Sequence, residues 1–199
     1  EFRRVLFRSN VTMFRDSEKG TEWSPDNTCS LQHIYPAGAV GLDSDPMLLE
    51  ISRNTIRVMN RWRDNNGMSS IYPAAVRVGY EPALILKELR EMLQAKGGTN
   101  GFTTGIVEGI ENCSIVPNTI NEMLCMGHND VLRLFPVWPG NNDARFTNLR
   151  TWGAFLVSSE LKSGEVQYVD ITSEQGRKCT IQNPWPGRVV NVTRGDGKT

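Results

Sequence analysis

Two carboxylates in a glycine-rich stretch are the residues best suited to chemistry in this chain. The segment EGIENCS at 108–114 carries Glu108 and Glu111, followed by the amide of Asn112 and the hydroxyl of Ser114. A carboxylate of this kind can act as a general base that activates a water molecule, and loops between rigid helices often present such groups. Alternatively, both glutamates are solvated loop residues, and the residue pattern alone leaves the two interpretations open.

A second group of candidate residues lies between Trp23 and Tyr35, in the segment WSPDNTCSLQHIY. An aromatic ring can stack on the apolar face of a sugar, while polar side chains such as that of His33 bind its hydroxyl groups. The segment is therefore a candidate carbohydrate-binding site. In the alternative interpretation, Trp23 and Tyr35 anchor the core and His33 is a structural histidine.

Two further polar residues have simpler interpretations. His128 is expected to cap the C-terminal end of the last helix, where it would compensate the helix dipole. Glu122 lies in the middle of that helix. It is expected to be a surface residue or to form a salt bridge between helices.

The overall composition argues against several classes of protein. The 199 residues include 22 basic and 22 acidic side chains, so the formal net charge is zero and no basic surface for nucleic acid or for an anionic membrane is indicated. No apolar run approaches the ~20 residues of a membrane-spanning helix. The four cysteines and two histidines are scattered, so no metal site is expected, and no motif for a cofactor is present.

The elements that position the candidate residues change in type along the chain. Before Asn129, apolar residues recur at helical spacing, and short loops separate the predicted helices. This pattern is typical of helical hairpins, either in a bundle or in an α/α toroid. Pro73 leaves the state of IYPAAVRVG open. The first predicted helix begins at Ser44 or Asp45 with Pro46 and ends at the DNNG stretch 64–67. The second begins at Glu81-Pro82 and ends at Gly97, and the last runs from near Pro117 to Gly127.

After Asn129 the spacing of apolar residues becomes that of β-strands. The runs WGAFLVSSEL and EVQYVDITSE flank Lys162-Ser163-Gly164, which predicts a hairpin. Two shorter runs, KCTIQ and RVVNV, are separated by the turn-forming NPWPG. Four or five such strands favour a small antiparallel sheet or half of a sandwich. The predicted fold class is therefore α+β, with a helical part at 10–129 and a β domain at 130–199.

The first nine residues, EFRRVLFRS, match the in-frame translation of a common sequencing adapter. They lack an initiator methionine, a long apolar region and the cleavage site of a signal peptide. We therefore interpret residues 1–9 as a non-native scar and expect natural sequence from about Asn10. On this interpretation the gene was truncated upstream, and the lack of a signal peptide carries no information.

One stretch, IENCSIVPNTINEMLCMGHNDVLRLFPVWP, resembles the end of the catalytic domain of glycoside hydrolase family 95, the inverting α-L-fucosidase-like enzymes. In that family an acidic residue begins a segment that ends in EML, two or three residues and a histidine, followed by an apolar strand similar to LLPALP. Glu111, Glu122 and His128 fall on the acid, the EML and the histidine of this pattern. The order and spacing of these elements make the match specific.

Weaker similarities flank this stretch. LQHIYPAGAV resembles the family's SHLYGLYPG, which places His33 and Tyr35 on that motif, and NLRTWGAFLVSS resembles the family's GLRARGGF. The resemblance thus extends from about Trp23 to about Gly176. One departure is clear, because the family has an aspartate followed by GNFG where this chain has Glu111 followed by NCSI. Glutamate reaches one methylene further, so the water or the sugar must sit differently.

The resemblance implies a partial (α/α)6 toroid, as in six-hairpin glycosidases, followed by a small antiparallel β-sandwich-like domain. It also implies hydrolysis with inversion, in which a general acid and a water-activating carboxylate stand ~6.5–9.5 Å apart. Glu111 would be the water-activating carboxylate, and Asn112, His33, Tyr35 and Trp23 would bind the substrate. The general acid would lie upstream, so the chain by itself is expected to be inactive.

The implied partner is an oligosaccharide or glycan, with no nucleic acid, membrane, metal or cofactor, and the oligomeric state is left open. A periplasmic or extracellular location is expected for a full-length bacterial protein of this family. Two other hypotheses remain. The chain could belong to a non-catalytic carbohydrate-binding relative of the same fold, or to a helical scaffold with a β appendage and no role in sugar chemistry.

Overall fold

The computed structural model describes residues 5–8, 11–15, 28–63, 68–98 and 110–195. Within these ranges, helices precede most of the strands, and the predicted α+β class is confirmed. The helices are α1 (Pro46–Met59), α2 (Met68–Arg77), α3 (Pro82–Lys96), α4 (Ile110–Cys113) and α5 (Ile115–Leu124). The strands are β1 (Val5–Arg8), β2 (Val11–Phe14), β3 (Cys125–Met126), β4 (Val131–Leu134), β5 (Ala144–Thr151), β6 (Phe155–Lys162), β7 (Glu165–Ser173) and β8 (Thr180–Ile181).

The helix starts follow the local chemistry of the sequence. Asp45 caps α1, because its carboxylate accepts a 2.8 Å hydrogen bond from the amide of Met47. Glu81 caps α3 in the same way, and Gly97 ends that helix as predicted. The predicted end of α1 was wrong, because the helix already stops at Asn60, which has left-handed torsion angles (φ 48°, ψ 41°). Asparagine tolerates this conformation and often terminates helices.

Helix α2 contains Pro73, and its residues 71–76 are all buried. The proline is the sixth residue of the helix, so only one hydrogen bond of the first turn is lost. Burial of this apolar run outweighs that loss. The side chains of α2 lie at the centre of the larger hydrophobic cluster, which also includes the buried faces of α1, α3 and α5.

The last helix ends earlier than the sequence predicted. Cys125 is already extended (φ −150°, ψ 101°), and β3 pairs with β4 in antiparallel orientation. The amide of Phe135 donates to the carbonyl of Leu124 (2.8 Å), so strand pairing takes over where helical bonding stops. His128 therefore does not cap this helix, and that prediction was wrong. It lies in a 3-10 turn, His128–Asp130, between the two strands.

The β part contains two small sheets. One has the order β3-β4-β8, with β4 and β8 parallel, and the other is the antiparallel sheet β5-β6-β7. The predicted hairpin is confirmed, since Ser163 and Gly164 join β6 to β7 with positive φ angles of 52° and 79°. The run RVVNV was wrongly predicted as a strand. It follows the proline-containing turn 184–187 and is largely exposed, so it has no sheet face to bury.

A second hydrophobic cluster lies under strand β6. Phe155, Val157 and Leu161 alternate along this strand and pack against residues of β3, β4 and β5. Ile120 and Trp138 contact both clusters, so the helical part and the β part share a continuous boundary. None of the helices in the described ranges is long and apolar enough to span a membrane.

Candidate functional site

The short helix α4 carries Glu111 and Asn112 immediately before α5. The side chain of Asn112 is 5% exposed, and its Oδ1 has no hydrogen-bond partner among the described residues. An unpaired buried amide oxygen costs ~1–3 kcal/mol, so such an atom is a candidate to bind a donor group. Trp23, Glu108 and the side chain of Glu111 lie outside the part of the chain that the structure describes.

His33 packs edge-on against Phe14, with ring centroids 4.3 Å apart and an interplanar angle of 79°. Burial lowers the pKa of His33 from 6.5 to about 4, because the charged form loses hydration. The ring is therefore neutral at pH 7. A neutral imidazole can donate or accept a hydrogen bond, but it cannot transfer a proton as a general acid at that pH.

Tyr35 is fixed against α5. The side-chain amide of Asn118 donates a 2.7 Å hydrogen bond to its hydroxyl oxygen. The guanidinium of Arg77 lies 5.6 Å from the centroid of the Tyr35 ring, within the range of a cation–π interaction. Tyr35 is thus joined to helices α2 and α5 at once. Sequence reasoning gave no indication of Asn118 or Arg77, because both are ordinary helix residues by type.

Arg77 and Glu122 form a bidentate ion pair between α2 and α5. Nε and Nη2 of the arginine donate to the two carboxylate oxygens at 2.7 and 2.6 Å. The side chains are only 14% and 16% exposed. Of the two interpretations given to Glu122, the structure therefore selects the bridge between helices. Because both oxygens are engaged, this carboxylate is poorly placed to act as a general base.

His128 connects the 3-10 turn after β3 to the loop that follows Tyr35. Its imidazole is 7% exposed, and Nε2 lies 2.8 Å from the carbonyl oxygen of Gly38, which can only accept, so Nε2 carries the proton. The ring leaves no room at Gly41, where an added β-carbon would lie 2.5 Å from Nδ1 and closer still to Cε1. Two glycines thus enclose the imidazole.

These residues surround a cleft of about 550 Å³ at the boundary between the helices and the β part. Its volume is typical of small-molecule sites. Asn112 is not among the described residues that line it, because the described lining begins at Asn118 and follows α5 toward its C-terminal end. On the rim, Trp152 is 75% exposed. The lining includes Gly38, Arg77, Asn118, Glu122, His128 and Trp152.

Neither Tyr35 nor His33 is among the described residues that line the cleft. Tyr35 is bonded to the lining residue Asn118, whereas the ring of His33 contacts Phe14. Trp152 was missed as a site residue, because the run WGAFLVSSEL was predicted to be a strand from its start, whereas Trp152 lies in the turn between β5 and β6. Within the described ranges, no group of three or more histidine, cysteine, aspartate or glutamate side chains could hold a metal ion.

Comparison with known proteins adds no relative to this description. No protein-family model matches the chain, and no curated protein matches it.

Proposed function

We propose that the chain belongs to an inverting glycoside hydrolase that acts on α-linked sugars, similar to the α-L-fucosidases of family 95. In this proposal, helices α1–α5 are part of an (α/α)6 toroid and the strands after Asn129 form a β-sandwich-like domain. The supporting observation is that the two segments carrying the resemblance are bonded to each other. Asn118 donates to Tyr35 at 2.7 Å, and His128 lies 2.8 Å from the carbonyl of Gly38, although these pairs are 83 and 90 residues apart in sequence.

The position of Asn112 suits the orientation of a water molecule. Its buried Oδ1 has no partner among the described residues, and it follows Glu111 directly. In the proposed reaction, the Asn112 amide oxygen accepts one hydrogen of the attacking water and Glu111 takes the other proton. The water oxygen then bonds to the anomeric carbon while the glycosidic C–O bond breaks. A general acid upstream protonates the departing oxygen.

Three other residues on which the resemblance falls are unsuited to this role. Both carboxylate oxygens of Glu122 are held by Arg77. His33 has a pKa of about 4 because it is buried, so it is a weak base. His128 donates through Nε2 to a carbonyl group and is almost fully buried. Among the four carboxylate and imidazole residues on which the motifs fall, Glu111, Glu122, His33 and His128, we therefore assign Glu111 to activate water.

The test uses the protein encoded by the complete reading frame, assayed with a panel of aryl α-glycosides that includes the α-L-fucoside. We expect Glu111→Gln to lower kcat about 10²–10⁴-fold, as loss of a general base does, without changing the unfolding temperature. Glu50→Gln makes the same chemical change at an exposed carboxylate of α1 and should keep wild-type activity. If Glu111→Gln retains wild-type turnover, the assignment of the base is wrong.

Two further readouts separate catalysis from mere binding. Proton NMR of the first product should show the β-anomer released from an α-glycoside, since an inverting reaction reverses the anomeric configuration. Azide added to Glu111→Ala should yield a β-glycosyl azide, because this nucleophile needs no base. Release of the α-anomer would contradict the inverting mechanism. Saccharide binding without any turnover would favour the non-catalytic relative instead.

A further inference from the structure

We propose that the cleft beside Trp152 is a binding site for a neutral saccharide and is separate from the position of Glu111. Trp152 is 75% exposed at the edge of a 550 Å³ cleft, which is an unusual place for a large aromatic ring. An indole ring that is apolar on its faces and open to solvent suits stacking against the C–H face of a pyranose.

The backbone around Trp152 is closely packed. Trp152 begins the three-residue turn that joins β5 to β6, in which Gly153 and Ala154 have positive φ angles of 90° and 62°. Glycine is required at the first of these positions, because an added β-carbon would lie 2.5 Å from the Phe155 ring. On the other side, a β-carbon at Gly127 would lie 3.1 Å from that of Trp152, so the backbone packs closely there. A constrained backbone at this position leaves mainly the two side-chain torsions to be ordered when a ligand stacks on the ring.

The walls of the cleft are polar, and their charges balance. The charged lining groups are Arg77 and Arg150 against Glu122 and Asp130, which sum to zero. Arg77 is fully engaged with Glu122, and Arg150 forms a bidentate ion pair with Glu174 outside the lining. Among the described lining residues, both cations are thus engaged, and neither is free to bind a phosphate or a uronic acid. Such a surface favours a neutral ligand with hydroxyl groups.

Amide side chains supply the groups that would bind those hydroxyls. Asn118 and Asn121 project from α5 into the lining, and Asn129 follows His128. Amides both donate and accept hydrogen bonds, as hydroxyl groups do. The combination of amides and one exposed indole fits a saccharide better than an apolar peptide or a second protein copy.

The end of the cleft that carries Trp152 lies about one helix length from the backbone of Glu111, although the lining begins at Asn118. Glu111 precedes α5, whereas the lining includes Cys125 and Gly127 just after its end. The helix has 10 residues and, at ~1.5 Å per residue, spans about 15 Å. The saccharide site therefore does not depend on Glu111 being catalytic, and its test is independent of the hydrolase assay.

The test uses the 199-residue chain, titrated with methyl α-L-fucoside, lactose and maltose by calorimetry and by the NMR signal of the Trp152 indole N–H. We expect millimolar binding of at least one of these sugars, which weakens about tenfold or more in Trp152→Ala and is largely restored in Trp152→Phe. Trp185→Phe is the matched control, because Trp185 lies outside the lining and its indole already donates to the carbonyl of Val166 at 2.7 Å. It should leave the affinity unchanged.

Several outcomes would overturn the proposal. It fails if none of the sugars binds, if binding is equal in Trp152→Ala and wild type, or if glucuronic acid, titrated in parallel, is the only ligand that binds. Loss of sugar binding in Glu111→Gln would show that the sugar occupies the proposed catalytic position instead. Unchanged unfolding temperatures of the Trp152 variants, expected for a side chain this exposed, exclude a folding defect as the cause.

Discussion

Replacing Gly41 by alanine should destabilise the chain only while His128 is present. In the native structure an alanine β-carbon at this position would lie 2.5 Å from Nδ1 of His128, far inside van der Waals contact. The imidazole cannot easily turn away, because Nε2 is held by the carbonyl of Gly38 at 2.8 Å and the ring is 7% exposed. Gly41 itself has no positive φ that would forbid alanine.

Two opposing terms set the magnitude. Forcing a methyl group into a packed site costs about 1–3 kcal/mol. Against this, replacing glycine by alanine at a permitted conformation gains ~0.4–1 kcal/mol, because the unfolded chain loses freedom. We therefore expect Gly41→Ala to lower the free energy of unfolding by about 1–2 kcal/mol. With His128→Ala in the background the clash disappears, and the same change should stabilise by ~0.4–1 kcal/mol.

The assay is urea unfolding of the four proteins of this double-mutant cycle, followed by circular dichroism. The sign of the Gly41→Ala effect should reverse between the two backgrounds, with a coupling energy of about 1–3 kcal/mol. Gly140→Ala is the control, because nothing lies within 4 Å of an added β-carbon there. Equal effects of Gly41→Ala with and without His128 would refute the packing described for this ring.

Two further predictions concern other parts of the structure. The pKa of His33 is about 4 in the folded chain and 6.5 for a hydrated histidine, so the unfolded chain takes up this proton first as the pH falls. The contribution of neutral His33 to stability is therefore complete above pH 6.5 and is lost as the pH falls toward 4, by about 1–2 kcal/mol after discounting for partial exposure. Urea unfolding of wild type and His33→Gln at pH 6.5 and at pH 4 measures this loss. Parallel pH curves of the two proteins would contradict it. In the β6–β7 turn, Ser163→Asn should raise the free energy of unfolding by ~0.5–1 kcal/mol, because asparagine adopts positive φ more readily than serine. Urea midpoints measure the change, and Gly164→Ala should show the opposite sign.

The features that sequence predicted best are those decided by neighbouring residues. The caps Asp45 and Glu81, the stop at Gly97 and the turn at Ser163-Gly164 depend on local backbone chemistry. The errors occur where distant pairing competes with local preference. Helix α5 was predicted to reach Gly127, but strand β4 pairs with the residues that follow Leu124.

The candidate site was predictable only in part for the same reason. Tyr35 and the histidine at 128 were singled out by type and motif, but their bonding partners, Asn118 and Gly38, are 83 and 90 residues away. No periodicity links such pairs. The glycines at 38 and 41 are the one local signal, because two closely spaced glycines often mark a close approach to the backbone.

Helix α5 supplies a physical reason for the spacing of the central motif. Its middle is fixed by Asn118 on Tyr35 and its C-terminal half by Glu122 on Arg77. Each residue inserted into a helix rotates the preceding part of that helix by about 100° around the helix axis and shifts it by ~1.5 Å along the axis. With both contacts kept, an insertion before Asn118 would turn the buried Asn112 away from its present position. An insertion between Asn112 and Asn118 is thus expected to change the surroundings of Asn112 while the ion pair and the hydrogen bond of α5 are kept.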